Sequence, residues 1–408
     1  MSEWKKVKLG KLYEVHNGLS KGRQFFGSGY PFLTFSTVFN NYFLPKELDS
    51  LVQSSEKERE ACSIRKGDVF ITRTSETMDE LGMSSVALRD YPDATYKGFT
   101  KRLRPITDDV IPEYIGYYLR SPKFRGKFMA FSTMTTRASL ANGDLLGMEV
   151  ELPTKEEQYC IASILSRYDS LIENYQKQIK LLEEAAQRLY KEWFVDLHFP
   201  SHENTKIVNG VPEGWEKKTI ADVCTNISSG STPSKSNKAY WENGTIKWVK
   251  TKELQDGWIF DTEEYISQEG YNSSSTKIFP VNTILMAIYA SPTLGRLGIL
   301  STDCCCNQAA LGLIADENII SWQWLFWKLY ELRDEFNAIA RGAGQQNISG
   351  IVVKNKEIII PDKGVIDGFT SVVSKMFDQQ KSLSSQIRLL TEARDRLLPK
   401  LMSGDIEI

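Results

Sequence analysis

The stretch Gln178-Ile179-Lys180-Leu181-Leu182 returns 208 residues later as Gln386-Ile387-Arg388-Leu389-Leu390. The match continues without a gap: Glu184-Ala185 pairs with Glu392-Ala393, and Arg188-Leu189 with Arg396-Leu397. Each copy is led in by a proline dipeptide, Leu152-Pro153 and Ile360-Pro361. Residues 161, 165, 168, 172, 175, 179, 182, 186, 189 and 193 are Ile, Leu, Tyr, Ile, Tyr, Ile, Leu, Ala, Leu and Trp. That unbroken 4-3 alternation is the a/d seam of a coiled coil. The second copy reads Phe369, Val373, Met376, Gln380, Leu383, Ile387, Leu390, Arg394, Leu397 and Leu401, with Gln380 and Arg394 as its polar interruptions. Polar groups in a seam can fix register or pairing. The spacing therefore predicts two helices of about 38 residues, each about 55 Å long. They are expected to pack antiparallel through Ile161, Leu165, Ile172, Ile179, Leu182 and Leu189 on one helix. Val373, Leu383, Ile387, Leu390 and Leu397 are the expected partners on the other.

Working outward, the rest of the chain is also said twice. Trp4-Lys5-Lys6-Val7 opens it and Trp215-Glu216-Lys217-Lys218 opens the second half. Tyr114 to Leu119 pairs with Trp324 to Leu329, and Ser139-Leu140 with Asn347-Ile348. Between these anchors the halves diverge, as expected of one scaffold adapted to two ligands. Short β-branched and aromatic runs alternate with Gly, Asn and Ser turns, at residues 30–35, 68–71 and 283–288. One helix is expected in each half, near 111–130 and 320–340. The fold class is thus mixed α/β (α+β), with two similar globular domains at 1–152 and 201–361. Long spacer helices follow at 153–200 and 362–408, and an internal approximate two-fold relates the halves. His198 and His202 stand at a proline-broken helix end with no third ligand, so the segment reads as a linker and no metal is expected.

The 408 residues are 41% hydrophobic and 25% charged, ordinary values for a globular chain. No apolar run approaches the roughly 18 residues a bilayer requires, and the N-terminus carries no signal-peptide pattern, which points to the cytoplasm. Cys304-Cys305-Cys306 lack zinc-site spacing and are expected to be buried, alternating along a strand. The net charge of −2 does not announce a nucleic-acid binder. Its distribution says more. Residues 1–152 hold 22 Lys+Arg against 19 Asp+Glu, and residues 97–137 hold 9 against 3. That stretch contains Lys97, Lys101, Arg102, Arg104, Arg120, Lys123, Arg125, Lys127 and Arg137, and reads either as a phosphate-facing surface or as a solvated face.

Loop chemistry supplies the other candidates. Ser229-Gly230-Ser231-Thr232-Pro233-Ser234-Lys235 offers Ser231, Thr232 and Lys235 to phosphate oxygens. Asn17 to Arg23, with Lys21 and Arg23, stands at the matching place in the first half. Arg341-Gly342-Ala343-Gly344-Gln345-Gln346-Asn347 is rich in amides, which pair bidentately with adenine, as Arg does with guanine. It reads equally as an ordinary flexible turn. Arg73, Lys250 and Arg296 complete the set of expected DNA contacts. No catalytic constellation is present: no phosphate loop, dinucleotide fingerprint, zinc-protease motif, nucleophile elbow or Asn/Asp-Pro-Pro-aromatic tetrapeptide. Recognition is favoured over catalysis.

Taken together, the chain resembles the specificity subunit of type I restriction-modification systems. The resemblance rests on the duplicated plan and the Leu-Pro or Ile-Pro lead into each long helix. In the second half it also rests on residues 230–234, Tyr240-Trp241, Ile246-Lys247-Trp248, Arg296-Leu297-Gly298, Asn307-Gln308 and the loop 342–348. The first half lacks Thr-Pro-Ser and has Thr135-Thr136-Arg137-Ala138-Ser139-Leu140 where the second has its Gln-rich loop. The resemblance implies a non-catalytic subunit whose two target-recognition domains read the halves of a bipartite, gapped site in double-stranded DNA. It implies helices that set the gap and dock two methyltransferase subunits, with two restriction/translocase subunits joining some assemblies. S-adenosylmethionine, ATP and Mg belong to those partners, and no cofactor is expected on this chain. The competing reading is a coiled-coil scaffold that binds proteins and has no sequence-specific DNA contact.

Overall fold

Two of the clearest repeat anchors turn out to be hydrogen-bonding partners. The opening strand Lys5–Lys8 pairs antiparallel with Glu149–Leu152, Lys5 opposite Leu152. In the second half Glu216–Thr219 pairs with Glu357–Ile360 in the same sense, Glu216 opposite Ile360. Each module is therefore closed by a ribbon whose second strand runs straight into a long helix. In a computed structural model of the chain, residues 4–75, 81–131, 138–139, 141–289, 293–342 and 347–406 are described; the side chains of 74–75, 128–131, 138–139 and 341–342 lie outside that description.

The long helices are Lys155–Phe194, 40 residues, and Lys363–Ser403, 41 residues. The first starts where it does because Thr154 and Glu157 cap it reciprocally. The Glu157 N–H donates to Thr154 Oγ1 at 3.2 Å and the Thr154 N–H to Glu157 Oε2 at 2.9 Å. At the second, the Asp362 carboxylate accepts from the Gly364 N–H at 2.8 Å. By contacts the chain divides into two compact units, residues 1–172 with 389–408, and residues 173–388. Each unit thus contains a globular module and part of both long helices.

In the first unit a four-stranded antiparallel sheet runs in the order Tyr13–Asn17, Thr100–Pro105, Val69–Thr72, Ser84–Val86. Beside it Phe26–Leu33 pairs in parallel with Thr95–Tyr96. In the second unit the matching sheet has five strands: Cys224–Ser229, Ala310–Ala315, Ile284–Ala287, Leu297–Leu300 and Gly257–Ile259. Ile246–Val249 there pairs in parallel with Cys305–Cys306, as Phe26–Leu33 does with Thr95–Tyr96. The three cysteines are fully buried. Cys304 and Cys306 enter one core with Val249 and Phe279, and Cys305 enters another with Trp248 and Ile266. Alternation along the strand explains the split. Burial pushes the Cys304 thiol up to about 12 and Cys305 up to about 11.

Three local expectations are revised. The run at 30–35 ends as a strand at Leu33, because Thr34 accepts from the Thr37 N–H at 3.1 Å and caps a helix beginning at Phe35. The helix expected near 111–130 is two, Pro112–Tyr118 and Pro122–Phe131. Ser121 before Pro122 makes a fresh start, a proline being best tolerated in a first helical turn. The one expected near 320–340 is likewise two, Trp322–Glu331 and Arg333–Gly342.

Seam positions are most deeply buried toward the helix ends. In the first unit Ile161 and Leu165 share a core with Leu398, Leu401, Met402 and Tyr117. In the second, Ala186 and Tyr190 share one with Phe369, Val373, Phe377 and Trp324. The beginning of one helix thus meets the end of the other in one unit, and the end meets the beginning in the second unit. Ile172, Ile179, Leu182 and Leu189 are half-buried, as are Ile387, Leu390 and Leu397, while Leu383 is buried. Of the two polar interruptions, Gln380 is buried and its Nε2 has no hydrogen-bond partner among the described residues. Arg394 is paired: its Nη1 donates to Asp169 at 2.6 Å. Asp169 also accepts from the Tyr117 hydroxyl.

Candidate nucleic-acid interface

Thr100–Pro105 is a central strand, flanked on both sides in its sheet. Its cations are consequently used inside the module, against the expectation that they face DNA. Lys101 is buried and donates to Asn142 Oδ1; burial lowers its pKa. Arg102 is buried and donates to the Ser63 carbonyl at 2.7 Å. Arg104 grips the fully buried Asp68 with two donors, Nε at 2.8 Å and Nη2 at 2.7 Å, and reaches the Ser63 carbonyl at 2.9 Å. The rest of the basic stretch behaves similarly. Arg120 donates to the carbonyls of Val38 and Phe39, each at 2.7 Å, Lys123 and Lys127 pair with Glu151, and Arg125 donates to the Leu81 carbonyl. A positive count along the sequence is therefore not a positive face. Arg104→Ala is expected to cost about 3 kcal/mol of stability, because Asp68 is left charged in the core. Thermal unfolding reads that loss, and the salt dependence of DNA binding should stay unchanged.

The cations that remain available lie elsewhere. Arg23 is exposed and Arg73 half-buried, and neither side chain has a hydrogen bond or ion pair among the described residues. Lys97 lies with its Nζ 5.3 Å from the Phe99 ring centroid. Lys21 is held by Glu58 at 2.8 Å and by the Gln53 carbonyl at 2.6 Å. Hydrogen bonds from Lys21 and Ser55 hold the Glu58 carboxyl down at about 2. Lys21, Arg23, Lys97 and Phe99 line one cleft of about 750 Å³, together with Ser20 and Asp49. Arg137 lies outside the described residues.

In the second module Ser231 and Thr232 are tied into the fold. The Ser231 carbonyl accepts from Trp248 Nε1 at 2.9 Å, and Thr232 donates to Gln308 Oε1. Lys235 sits 3.2 Å from the Trp241 ring centroid and pairs with Glu264. Lys250 pairs with Glu263 at 3.1 Å and Glu264 at 2.9 Å. Both lysines are therefore neutralised in place. Arg296 is half-buried and its side chain makes no hydrogen bond or ion pair among the described residues. Gln345, Gln346 and the Arg341 side chain lie outside the described residues, whereas Asn347 is exposed and bridged to Tyr289.

The same loop pairing occurs in both modules. Thr74–Ser75, next to Arg73, pairs with Ala138–Ser139, Ser139 opposite Thr74. In the second module Asn347 bridges Tyr289, and the Ile348 N–H donates to the Ile288 carbonyl at 3.0 Å. Asn347 stands 208 residues beyond Ser139, so the two modules bring corresponding loops together. The Asn17 and Ser229 loops also correspond. A Cβ on Gly18 would lie 2.4 Å from the Lys97 carbonyl oxygen, and one on Gly230 would lie 2.0 Å from that of Cys306. Only glycine allows either loop to press this closely on the turn that follows the parallel strand. Sequence reasoning missed Phe99, 54% exposed, at the corresponding turn of the first module. An isolated phenylalanine between Gly98 and Thr100 carries no periodic signal that separates surface from core.

Comparison with known proteins joins these features to a family. Residues 1–184 and 212–388 each match the type I restriction modification DNA specificity domain, one copy per half. The chain belongs to this family. It is 27% identical, over its whole length and 94% of the relative's, to the type I restriction enzyme MjaIX specificity subunit of Methanocaldococcus jannaschii. It is 26% identical, over the whole length of both chains, to the HindI specificity subunit of Haemophilus influenzae. The crystal structure of the S subunit of a type I restriction-modification system from M. genitalium aligns with a TM-score of 0.60. That alignment covers 98% of this chain and 96% of the other at 15% identity, a likeness of fold. Among the described residues no helix is long and apolar enough to cross a membrane.

Proposed function

We propose that this chain is the specificity subunit of a type I restriction-modification enzyme, reading a bipartite, gapped site in duplex DNA. The observation that carries this reading is the loop pairing repeated in both modules, with Arg73 next to the first pair in sequence and Arg296 bonded through its carbonyl to Ala287, two residues before the second. Divergent loops on one duplicated scaffold suit two different half-sites. Two modification subunits dock on the chain, supply S-adenosylmethionine and methylate the DNA; restriction/translocase subunits, where present, bring ATP and Mg. Leu181, 64% exposed, and Leu389, 53% exposed, occupy equivalent positions of the repeat outside the seam. A duplicated exposed leucine offers one kind of partner two equal footholds.

The test is single-molecule sequencing of genomic methylation with the locus intact and deleted. Deletion is expected to abolish methylation at one bipartite motif and leave every other motif untouched. Arg73→Ala and Arg296→Ala should each weaken binding by the assembled complex by about 1–3 kcal/mol, at separate half-sites. The scaffold reading is separated by salt. A DNA complex weakens steeply as salt rises because phosphate counterions are released on binding. An unchanged methylome together with salt-insensitive or absent DNA binding would sink the proposal.

A further inference from the structure

The turn Lys97–Thr100 is held on several sides. The Lys97 N–H donates to the Leu33 carbonyl at 3.1 Å, the Gly98 N–H to Leu19 at 2.9 Å, and the Thr100 N–H back to Lys97 at 2.9 Å. The Phe99 carbonyl accepts from the Arg73 N–H at 2.9 Å, and the Gly18 backbone presses on the turn from below. On this rigid mount Phe99 projects a ring that is 54% exposed. Lys97 Nζ is 5.3 Å from the ring centroid, Arg73 is adjacent through the backbone, and Arg23 lines the same cleft, where Lys21 is paired with Glu58 and Asp49 adds a carboxylate. An exposed aromatic flanked by Lys97 and Arg73 is poorly suited to an apolar protein surface and well suited to a polyanion with π-faces. The corresponding turn of the second module is built differently. It carries exposed Gln308, hydrogen-bonded to Thr232, and then Ala309, where the first module has Gly98 and Phe99. The ring is therefore a local addition to the first module and no requirement of the shared scaffold.

We infer that Phe99 enters a base step of the first half-site and stacks there, while Lys97 and Arg73 hold the flanking phosphates. Apolar side chains that insert between base pairs unstack the step and favour sequences that unstack cheaply. The inference rests on the DNA-reading function proposed above and adds the means of readout in one module.

The experiment uses the full chain assembled with its modification subunits. The probes are a duplex bearing the site found by methylation mapping and a random duplex of equal length. Phe99→Ala is expected to weaken binding to the site by about tenfold, with the random duplex and the salt slope unchanged. 2-Aminopurine placed through the first half-site should brighten at one step on binding by the natural chain. Phe99→Ala removes that signal, Phe99→Leu keeps most of it, and the second half-site is unaffected by either. Affinity for the site within twofold of natural in Phe99→Ala overturns the inference. So does loss of modification subunits from the variant complex, which would make Phe99 a protein contact. If the natural complex does not prefer its own site over random duplex, the DNA-reading function itself fails, and this inference with it.

Discussion

Arg394→Ala should lower stability by about 2–4 kcal/mol, although Arg394 occupies a seam position where leucine would be ordinary. The Arg394 side chain is 14% exposed and Asp169 27%, so the pair is largely screened from water. Burial opposes the charge on Arg394, but the hydrogen bonds and charges of Asp169 and Asp395 outweigh it and hold its pKa above the ordinary value. Removing the guanidinium leaves the Asp169 carboxylate facing the buried hydroxyl of Tyr117, whose own pKa is already raised by burial. Tyr42, 5.3 Å from the guanidinium and 5.4 Å from Tyr117 between ring centroids, loses one of its two cations and keeps Arg120 at 5.0 Å. Chemical denaturation of the natural chain and the variant measures the cost. The double change Arg394→Met with Asp169→Leu should recover most of it, since an apolar pair of similar volume needs no compensating charge. A loss below about 0.5 kcal/mol in the single variant would mean that the pair contributes no more than an exposed ion pair.

Inserting four residues after Gln178, and four after Gln386, is expected to eliminate methylation at the original site and create methylation at a new one. The new site should keep both half-sites and have a longer gap. Four residues add about 6 Å of helix, the rise of roughly two base pairs, and advance the helix by slightly more than one turn. The seam is thus nearly restored and the modules are left intact. Genomic methylation read by single-molecule sequencing gives the outcome directly. An altered half-site would contradict the division of labour between readers and spacer.

The long helices were legible because heptad spacing is a local pattern, and because a proline lead followed by Thr154 or Asp362 marks a helix start. The closing ribbon was legible only as two separate anchors; nothing local says that Lys5 and Leu152 are neighbours. The same limit explains the misplaced cations. Lys101, Arg102 and Arg104 read as a basic cluster until the sheet order places their strand between two others and brings Asp68, Ser63 and Asn142 within reach. Lys235 was chosen for a hydroxyl-rich loop, but its charge is matched by Glu264, a residue 29 positions away. Phe99 was invisible for the opposite reason: its exposure is a property of one turn and its mounting, which no spacing encodes.

The first unit draws part of its core from the far end of the chain: Leu398, Leu401 and Met402 lie among Tyr117, Ile161 and Leu165. A ribosome therefore makes the first module and then all of residues 173–388 before it supplies the side chains that finish that core. Until then the nascent first module carries an open apolar face, in need of a chaperone or of a partner already waiting. A premature stop near Leu389 would leave the most recently made unit whole and cripple the oldest.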